Sequence, residues 1–219
     1  MQRSTSLTGL QDQKKLRYVI YVAMFCTIQV VLMLIPFLGF IPIGPIAATT
    51  LHLPVITAGV LLGKKAGMTL GFLFGLISMT RATLTPGLTS FLFSPFAPAV
   101  GGYSGNIFSL IIAFVPRILL GWASAVLYQK FKEQKLTEKI APGLAGLLAT
   151  LLHTTLVLSG ISLFFGEAYA SVLGIDGPLI NFIMGIVFTN GIVEAILAVF
   201  VVTALTKVLQ RVVKLDDEW

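Results

Sequence analysis

Six apolar runs, separated alternately by Pro/Gly-rich breaks and by Lys/Arg clusters, organise this chain of 219 residues. The first run predicts a helix from Tyr18 to about Ile35, ended by Pro36, Gly39, Pro42, Gly44 and Pro45. The second has only Ile46 to Gly63 available and carries Pro54. A helix starting near Thr49 would cover about 22 Å, short of a hydrocarbon core about 30 Å thick. The loop before it is therefore expected to dip below the membrane surface, where irregular backbone is tolerated if it is buried in protein or lines a cavity. A third helix is predicted from Ala66 to about Ala82. Residues 83–105, with Pro86, Gly87, Pro95, Pro98, Gly101, Gly102 and Gly105, then form a long apolar loop suited to a lid or plug. The fourth helix runs from about Asn106 to Tyr128, the fifth from about Ile140 to Phe165, and the sixth from Pro178, a residue that favours helix starts, to about Thr206.

Composition turns six apolar runs into six membrane spans. The chain is 56% hydrophobic and 11% charged, with mean hydropathy +0.95, where a soluble domain carries roughly 25% charged residues. Its net charge of +6 does not indicate nucleic acid, because the basic residues are not gathered into one aromatic-studded patch. Arg3, Lys14, Lys15 and Arg17 form one cluster, Lys64 and Lys65 a second, Lys130, Lys132, Lys135 and Lys139 a third, and Lys207, Arg211 and Lys214 a fourth. This is the positive-inside pattern of cytoplasmic loops. The stretch between neighbouring clusters has room for two crossings each time, so the fold class is an all-α integral membrane protein with six transmembrane helices and both termini cytoplasmic. The expected division is a cytoplasmic N-terminal segment (1–17), a single membrane domain (18–207) and a cytoplasmic tail (208–219). Cys26, the single cysteine, excludes an internal disulfide and reads as apolar packing. No secretory signal is expected, since the first apolar run lacks an evident small-residue cleavage site.

Two arginines fall outside the basic clusters, and with them the chemistry begins. Arg81, Arg117, His52, His153 and Glu194 lie inside the apolar runs, where an ionisable group is a functional candidate by default. Counting at about 1.5 Å per helical residue puts all five roughly 18 to 24 Å from the nearest inner basic residue, in one layer past the midplane toward the outside. Arg117 and Glu194 match in depth, either as a pair locking two helices or as ligand contacts. Asn190 extends the polar face one turn from Glu194. Arg81 either snorkels to the headgroups or offers a positive charge to an anion. His52 and His153 are helix-packing residues or ligand contacts, and Thr154 and Thr155 beside His153 can face the same cavity or bond to their own helix.

No metal-binding motif, nucleophile elbow, phosphate-binding loop or dinucleotide fingerprint is present, so neither catalysis nor ATP hydrolysis has visible machinery. Small residues are the remaining signal. Ala23 and Thr27 on helix one and Gly121 and Ala125 on helix four have the spacing that permits close helix contact, and Gly59, Gly63, Gly67, Gly71 and Gly75 give helices two and three smooth faces.

Three segments, LHLPVITAGVLLGKKAGMTLGFLFGLISM (Leu51 to Met79), VPRILLGWASAVLY (Val115 to Tyr128) and HTTLVLSGI (His153 to Ile161), resemble in order the substrate-binding S components of energy-coupling factor (ECF) vitamin transporters. The resemblance covers most of the chain and is nearest to the pantothenate-specific branch. It implies six helices and a site near the outer face, closed by the loops between helices one and two and between helices three and four. It further implies a transmembrane coupling protein and two ATP-binding cassette ATPases as partners, with no cofactor in this chain. The location it implies is the plasma membrane of a prokaryote, where the whole subunit topples to deliver its vitamin. The helix-one contact with the coupling protein maps to Ala23 and Thr27, with threonine standing where the family's pattern has a second alanine. For pantothenate, Arg81 or Arg117 would hold the carboxylate. His52, Asn106, His153, Thr154, Asn190 and Glu194 would meet the polar remainder, and Phe91, Phe93 and Tyr103 would belong to the lid. Other vitamins or precursors (hydroxymethylpyrimidine, pyridoxine, folate, biotin) and a stand-alone proton-coupled carrier are the alternative readings.

Overall fold

A computed structural model describes residues 2–35, 38–41, 48–137 and 139–212. Residues 36–37 and 42–47 of the loop between the first two helices, with Pro36, Pro42, Gly44 and Pro45, lie outside the described residues, as does the tail from residue 213. The chain is almost entirely helical. α1 (Gln2–Leu34) is followed by a two-residue antiparallel ladder, β1 (Phe40–Ile41) with β2 (Ala48–Thr49), in which Phe40 faces Thr49 and Ile41 faces Ala48. Then come α2 (His52–Leu62), α3 (Lys64–Leu84), a 3-10 turn at Ser90–Leu92, α4 (Ile107–Glu133) and α5 (Ala141–Leu173). The last span is α6 (Leu179–Ile186), a π turn at Val187–Gly191 and α7 (Ile192–Val212). Among the described residues, five helical stretches are long and apolar enough to cross a membrane, and α2 is a shorter apolar helix between them. This is a multi-pass membrane protein.

Several boundaries differ from the sequence expectation for identifiable reasons. α2 begins at His52 rather than near Thr49, because Ala48 and Thr49 are extended in the ladder with β1. Its 11 residues reach about 16 Å, so α2 is sheathed on all sides: every residue from His52 to Leu62 is buried. α1 continues back to Gln2 with no break between the expected N-terminal segment and the membrane helix. α5 runs beyond Phe165 to Leu173, but Phe165 itself has non-helical dihedrals (φ −136°, ψ 19°) and marks a kink where the sequence suggested an end.

The rigid centre of the molecule is the α2–α3–α4 unit, and glycine makes it possible. A Cβ on Gly121 would overlap the backbone carbonyl of Gly67, and one on Gly67 would overlap the carbonyl of Gly121. Gly71 faces the carbonyl of Arg117 in the same way, Gly75 that of Ala113, and Gly59 the hydroxyl of Ser124 and the Gly121 carbonyl. Helices that meet backbone to backbone gain dispersion contact where lipid offers no hydrophobic driving force. The small residues of α3 and α4 are thus internal packing.

α1 is the least buried of the long helices. Leu16, Val19, Ile20, Val31 and Leu34 are exposed, as are Ala23 and Thr27, whose hydroxyl donates back to the Ala23 carbonyl at 2.9 Å. Its buried side carries Phe25 and Gln29. The Gln29 amide donates to the carbonyls of Leu51 (3.3 Å) and Leu70 (3.4 Å), tying α1 to the start of α2 and to α3.

Candidate functional site

The polar residues of α4, α5 and the last span converge on one small cavity of about 60 Å³ at the end of the bundle that carries the β1–β2 ladder. α4 supplies Arg117, which the Gly71 contact brings close to α3. α5 supplies His153, Thr154, Val157 and Leu158, the π turn supplies Asn190, and α7 supplies Glu194. The π turn puts Asn190 and Glu194 on one inward face, and both are buried. Single π turns of this kind recur at functional sites. Thr49 of β2 and Phe93 close the cavity.

Arg117 is the dominant charge here, and it is 6% exposed. One terminal nitrogen (Nη1) donates to the carbonyl of Ile112 in its own helix, while Nε has no partner. The guanidinium carbon lies 5.2 Å from the centroid of the Phe93 ring and 5.5 Å from that of Phe74. At these distances cation–π attraction offsets part of the cost of burying the charge. Among the described residues no ion pair joins Arg117 to Glu194. Matching depth does not make them a lock between helices.

Glu194 is instead engaged by the backbone. Its Oε1 accepts the amide of Thr49 at 2.7 Å, and its main-chain carbonyl accepts from Nε2 of His52 at 3.4 Å. The Thr49 hydroxyl donates to the Gly39 carbonyl at 3.0 Å. The segment between α1 and α2 therefore penetrates to the level of Glu194, as the shortness of the second apolar run suggested. His52 opens α2 fully buried, with Nδ1 unpartnered. His153, 6.0 Å from the Phe74 ring, has neither ring nitrogen hydrogen-bonded although the residue is only 5% exposed. Buried polar atoms without partners are costly. Both nitrogens of His153 and Nε of Arg117 belong to residues that line the same cavity, so the unmet hydrogen-bonding capacity is gathered in one place.

The remaining residues singled out from the sequence fall elsewhere. Arg81 is half-buried in the last turn of α3, outside the cavity lining. Phe91 is fully buried in a second apolar cluster, edge-on to Phe165 with centroids 5.8 Å apart. Tyr103 and Asn106 line a separate open groove. Asn106 also caps α4, accepting from the Phe108 amide at 2.8 Å while its own amide donates to Ser109 Oγ at 3.0 Å. Phe74 and the main chain of Thr49 are site components that the sequence did not disclose. A Phe in a glycine-rich apolar helix carries no distinguishing mark, and a main-chain amide has no residue signature at all.

Comparison with known proteins accords with this architecture. The family described as the ECF transporter substrate-specific component matches residues 17–206. The chain is 39% identical over 168 residues to the pantothenic acid transporter PanT of Lactococcus lactis subsp. cremoris (strain MG1363), covering 76% of this chain and 80% of that protein. It is 30% identical over 207 residues to the pantothenate transporter PanT of Leuconostoc mesenteroides subsp. mesenteroides, covering 90% of this chain and 94% of that protein. The chain belongs to the substrate-specific components of ECF transporters, and is thus a membrane transport subunit and not an enzyme.

Proposed function

We propose that this protein binds pantothenate for uptake across the cell membrane of a prokaryote. Both termini are cytoplasmic, and the ladder end of the bundle faces outward. The observation that carries this reading is the unpaired hydrogen-bonding capacity around Arg117. A fixed cation set between two aromatic rings, beside the free ring nitrogens of His153, suits a ligand with one anionic group and several hydroxyl and amide groups. Pantothenate has a carboxylate, an amide and two hydroxyls on a branched aliphatic body. An uncharged pyrimidine would offer the guanidinium no anionic group.

In this reading Arg117, rather than Arg81, receives the carboxylate. His153, Thr154 and Asn190 address the polar remainder, and Phe93 covers it. The names of the two curated relatives support the choice of vitamin. Transport is driven by a separate module, a transmembrane coupling protein with two ATP-binding cassette ATPases, which meets the exposed Ala23/Thr27 face of α1. Delivery is by toppling of the whole subunit in the bilayer. The direct test is binding of radiolabelled pantothenate to the purified protein, with mass-spectrometric identification of whatever small molecule co-purifies. Saturable binding displaced by unlabelled pantothenate and not by pyridoxine or biotin is the expected result. A co-purified vitamin without an anionic group would refute the assignment.

A further inference from the structure

Among the described residues of α1, Gln29 is the single buried polar residue. It lies one turn beyond Phe25, which belongs to the apolar cluster that also holds Leu51 and Leu70. Packing alone would be met there by leucine or methionine. The amide oxygen of Gln29 has no partner, and a buried acceptor left unpaired is unfavourable. What the residue contributes is its donor, and hydrogen bonds between helices are among the forces that hold a membrane bundle together.

Nε2 donates to two carbonyls, that of Leu51 at 3.3 Å and that of Leu70 at 3.4 Å. Each carbonyl lies next to one wall of the cavity. Leu51 sits between Thr49, whose amide donates to Glu194 Oε1 at 2.7 Å, and His52, whose Nε2 donates to the Glu194 carbonyl at 3.4 Å. Leu70 precedes Gly71, where α3 meets the Arg117 carbonyl so closely that a Cβ would overlap it. Thr49, Glu194 and Arg117 all line the cavity. One side chain of α1 thus grips the backbone behind the carboxyl wall and the backbone behind the guanidinium wall.

The ladder supplies a second tie. A Cβ on Gly39 would overlap the Leu32 carbonyl of α1, and the Gly39 carbonyl accepts the Thr49 hydroxyl at 3.0 Å and the Thr50 amide at 3.1 Å. α1, the ladder and the start of α2 are therefore one connected body. On the other side of the same helix Ala23 and Thr27 are exposed, Thr27 being about 200° around the axis from Gln29.

We propose that Gln29 is a positioning residue that carries the state of the outward face of α1 to the vitamin cavity. A coupling protein docked against Ala23 and Thr27 displaces α1, and Gln29 passes that displacement to the Glu194 wall through Leu51 and to the Arg117 wall through Leu70. The inference rests on the proposed reading of the cavity as the vitamin site and of α1 as the docking helix. It adds the residue by which docking alters the hold on the vitamin. The effect is reciprocal: whatever factor docking applies to vitamin affinity, the vitamin applies to docking.

The test uses the full chain in nanodiscs, with and without a saturating amount of the complete coupling module, and radiolabelled pantothenate as probe. Gln29→Met keeps the length of the side chain and removes its donor. In isolation it is expected to bind pantothenate within about twofold of the wild type. Docking is expected to change wild-type affinity by about 5–150-fold and that of Gln29→Met by no more than about twofold. Equal factors in the two proteins overturn the proposal, and so does a variant already weakened in isolation. Deuterium exchange needs no vitamin. Docking is expected to change exchange of the amides of residues 49–53 about tenfold in the wild type and to leave it unchanged in Gln29→Met; the same change in both, or none in the wild type, overturns the proposal. If neither protein binds pantothenate, the choice of vitamin falls and the exchange measurement alone decides the role of Gln29. If Ala23→Leu with Thr27→Leu docks as the wild type does, the placement of the partner on α1 falls, and this inference with it.

Discussion

Glu194 Oε1 accepts the backbone amide of Thr49 at 2.7 Å, so that a carboxyl group on the last span holds the segment between the first two helices. A hydrogen bond of this kind, made in the interior, is worth about 1–3 kcal/mol. Glu194→Ala is expected to lower the denaturation temperature in detergent, and Glu194→Gln, which keeps a carbonyl acceptor, to lower it less. Equal losses in a thermal scan would assign the effect to packing.

Arg117 lies between the Phe74 and Phe93 rings at 5.5 and 5.2 Å. Arg117→Ala should weaken pantothenate binding about 100-fold, the equivalent of roughly 2.8 kcal/mol. Arg117→Lys should not restore it, because an ammonium lacks the planar, stackable fork. Arg81→Ala, outside the cavity, should bind as the wild type does. Equilibrium binding of the three variants decides, and undiminished affinity in Arg117→Ala contradicts the assignment.

His153 is buried with both ring nitrogens unpartnered. His153→Leu removes unpaired polar atoms that cost about 1–3 kcal/mol in the ligand-free protein. The variant is expected to melt at a higher temperature while binding the vitamin at least about tenfold more weakly. Parallel thermal and binding titrations would show the opposed shifts that mark a residue retained for function at the expense of stability. A lower melting temperature would show that the imidazole is structural.

Gly121→Ala places a methyl group on the Gly67 carbonyl, whereas Gly185→Ala meets nothing within 4 Å. The first should cost about 1–3 kcal/mol by forcing α3 and α4 apart, and the second should leave the melting temperature unchanged or slightly raised through higher helix propensity. Thermal unfolding of the pair tests the seam.

Ala23 and Thr27 are both exposed on α1. Ala23→Leu with Thr27→Leu should leave vitamin binding and thermal stability intact while lowering co-purification with the coupling protein about tenfold. Pull-down from membranes containing the whole module measures it. Undiminished recovery would move the contact to another face.

Much of this site was legible because depth in a helix can be counted. Arg117, His153 and Glu194 were placed in one layer by their distance from the basic clusters, and they line one cavity. Arg81 shows the limit of that reasoning: depth is one coordinate, and the direction in which a helix turns its residues depends on neighbours that the count does not contain. The π turn at Val187–Gly191 was illegible because its residues have no composition that separates them from an ordinary α-helical turn. The short second helix announced itself by arithmetic, yet what fills the missing length, the ladder with β1 and the amide held by Glu194, is made of main-chain atoms and so left no trace in residue identity.

The exposure of α1 has one further consequence. Lipid tails are as apolar as Leu16, Ile20, Val31 and Leu34, so exchanging lipid for protein along this helix gains nothing from the expulsion of water. A coupling protein docking there, as proposed, would be held by shape fit alone. A helix edge that is equally at ease against either neighbour makes an association that can be undone, as the proposed docking on a coupling protein requires.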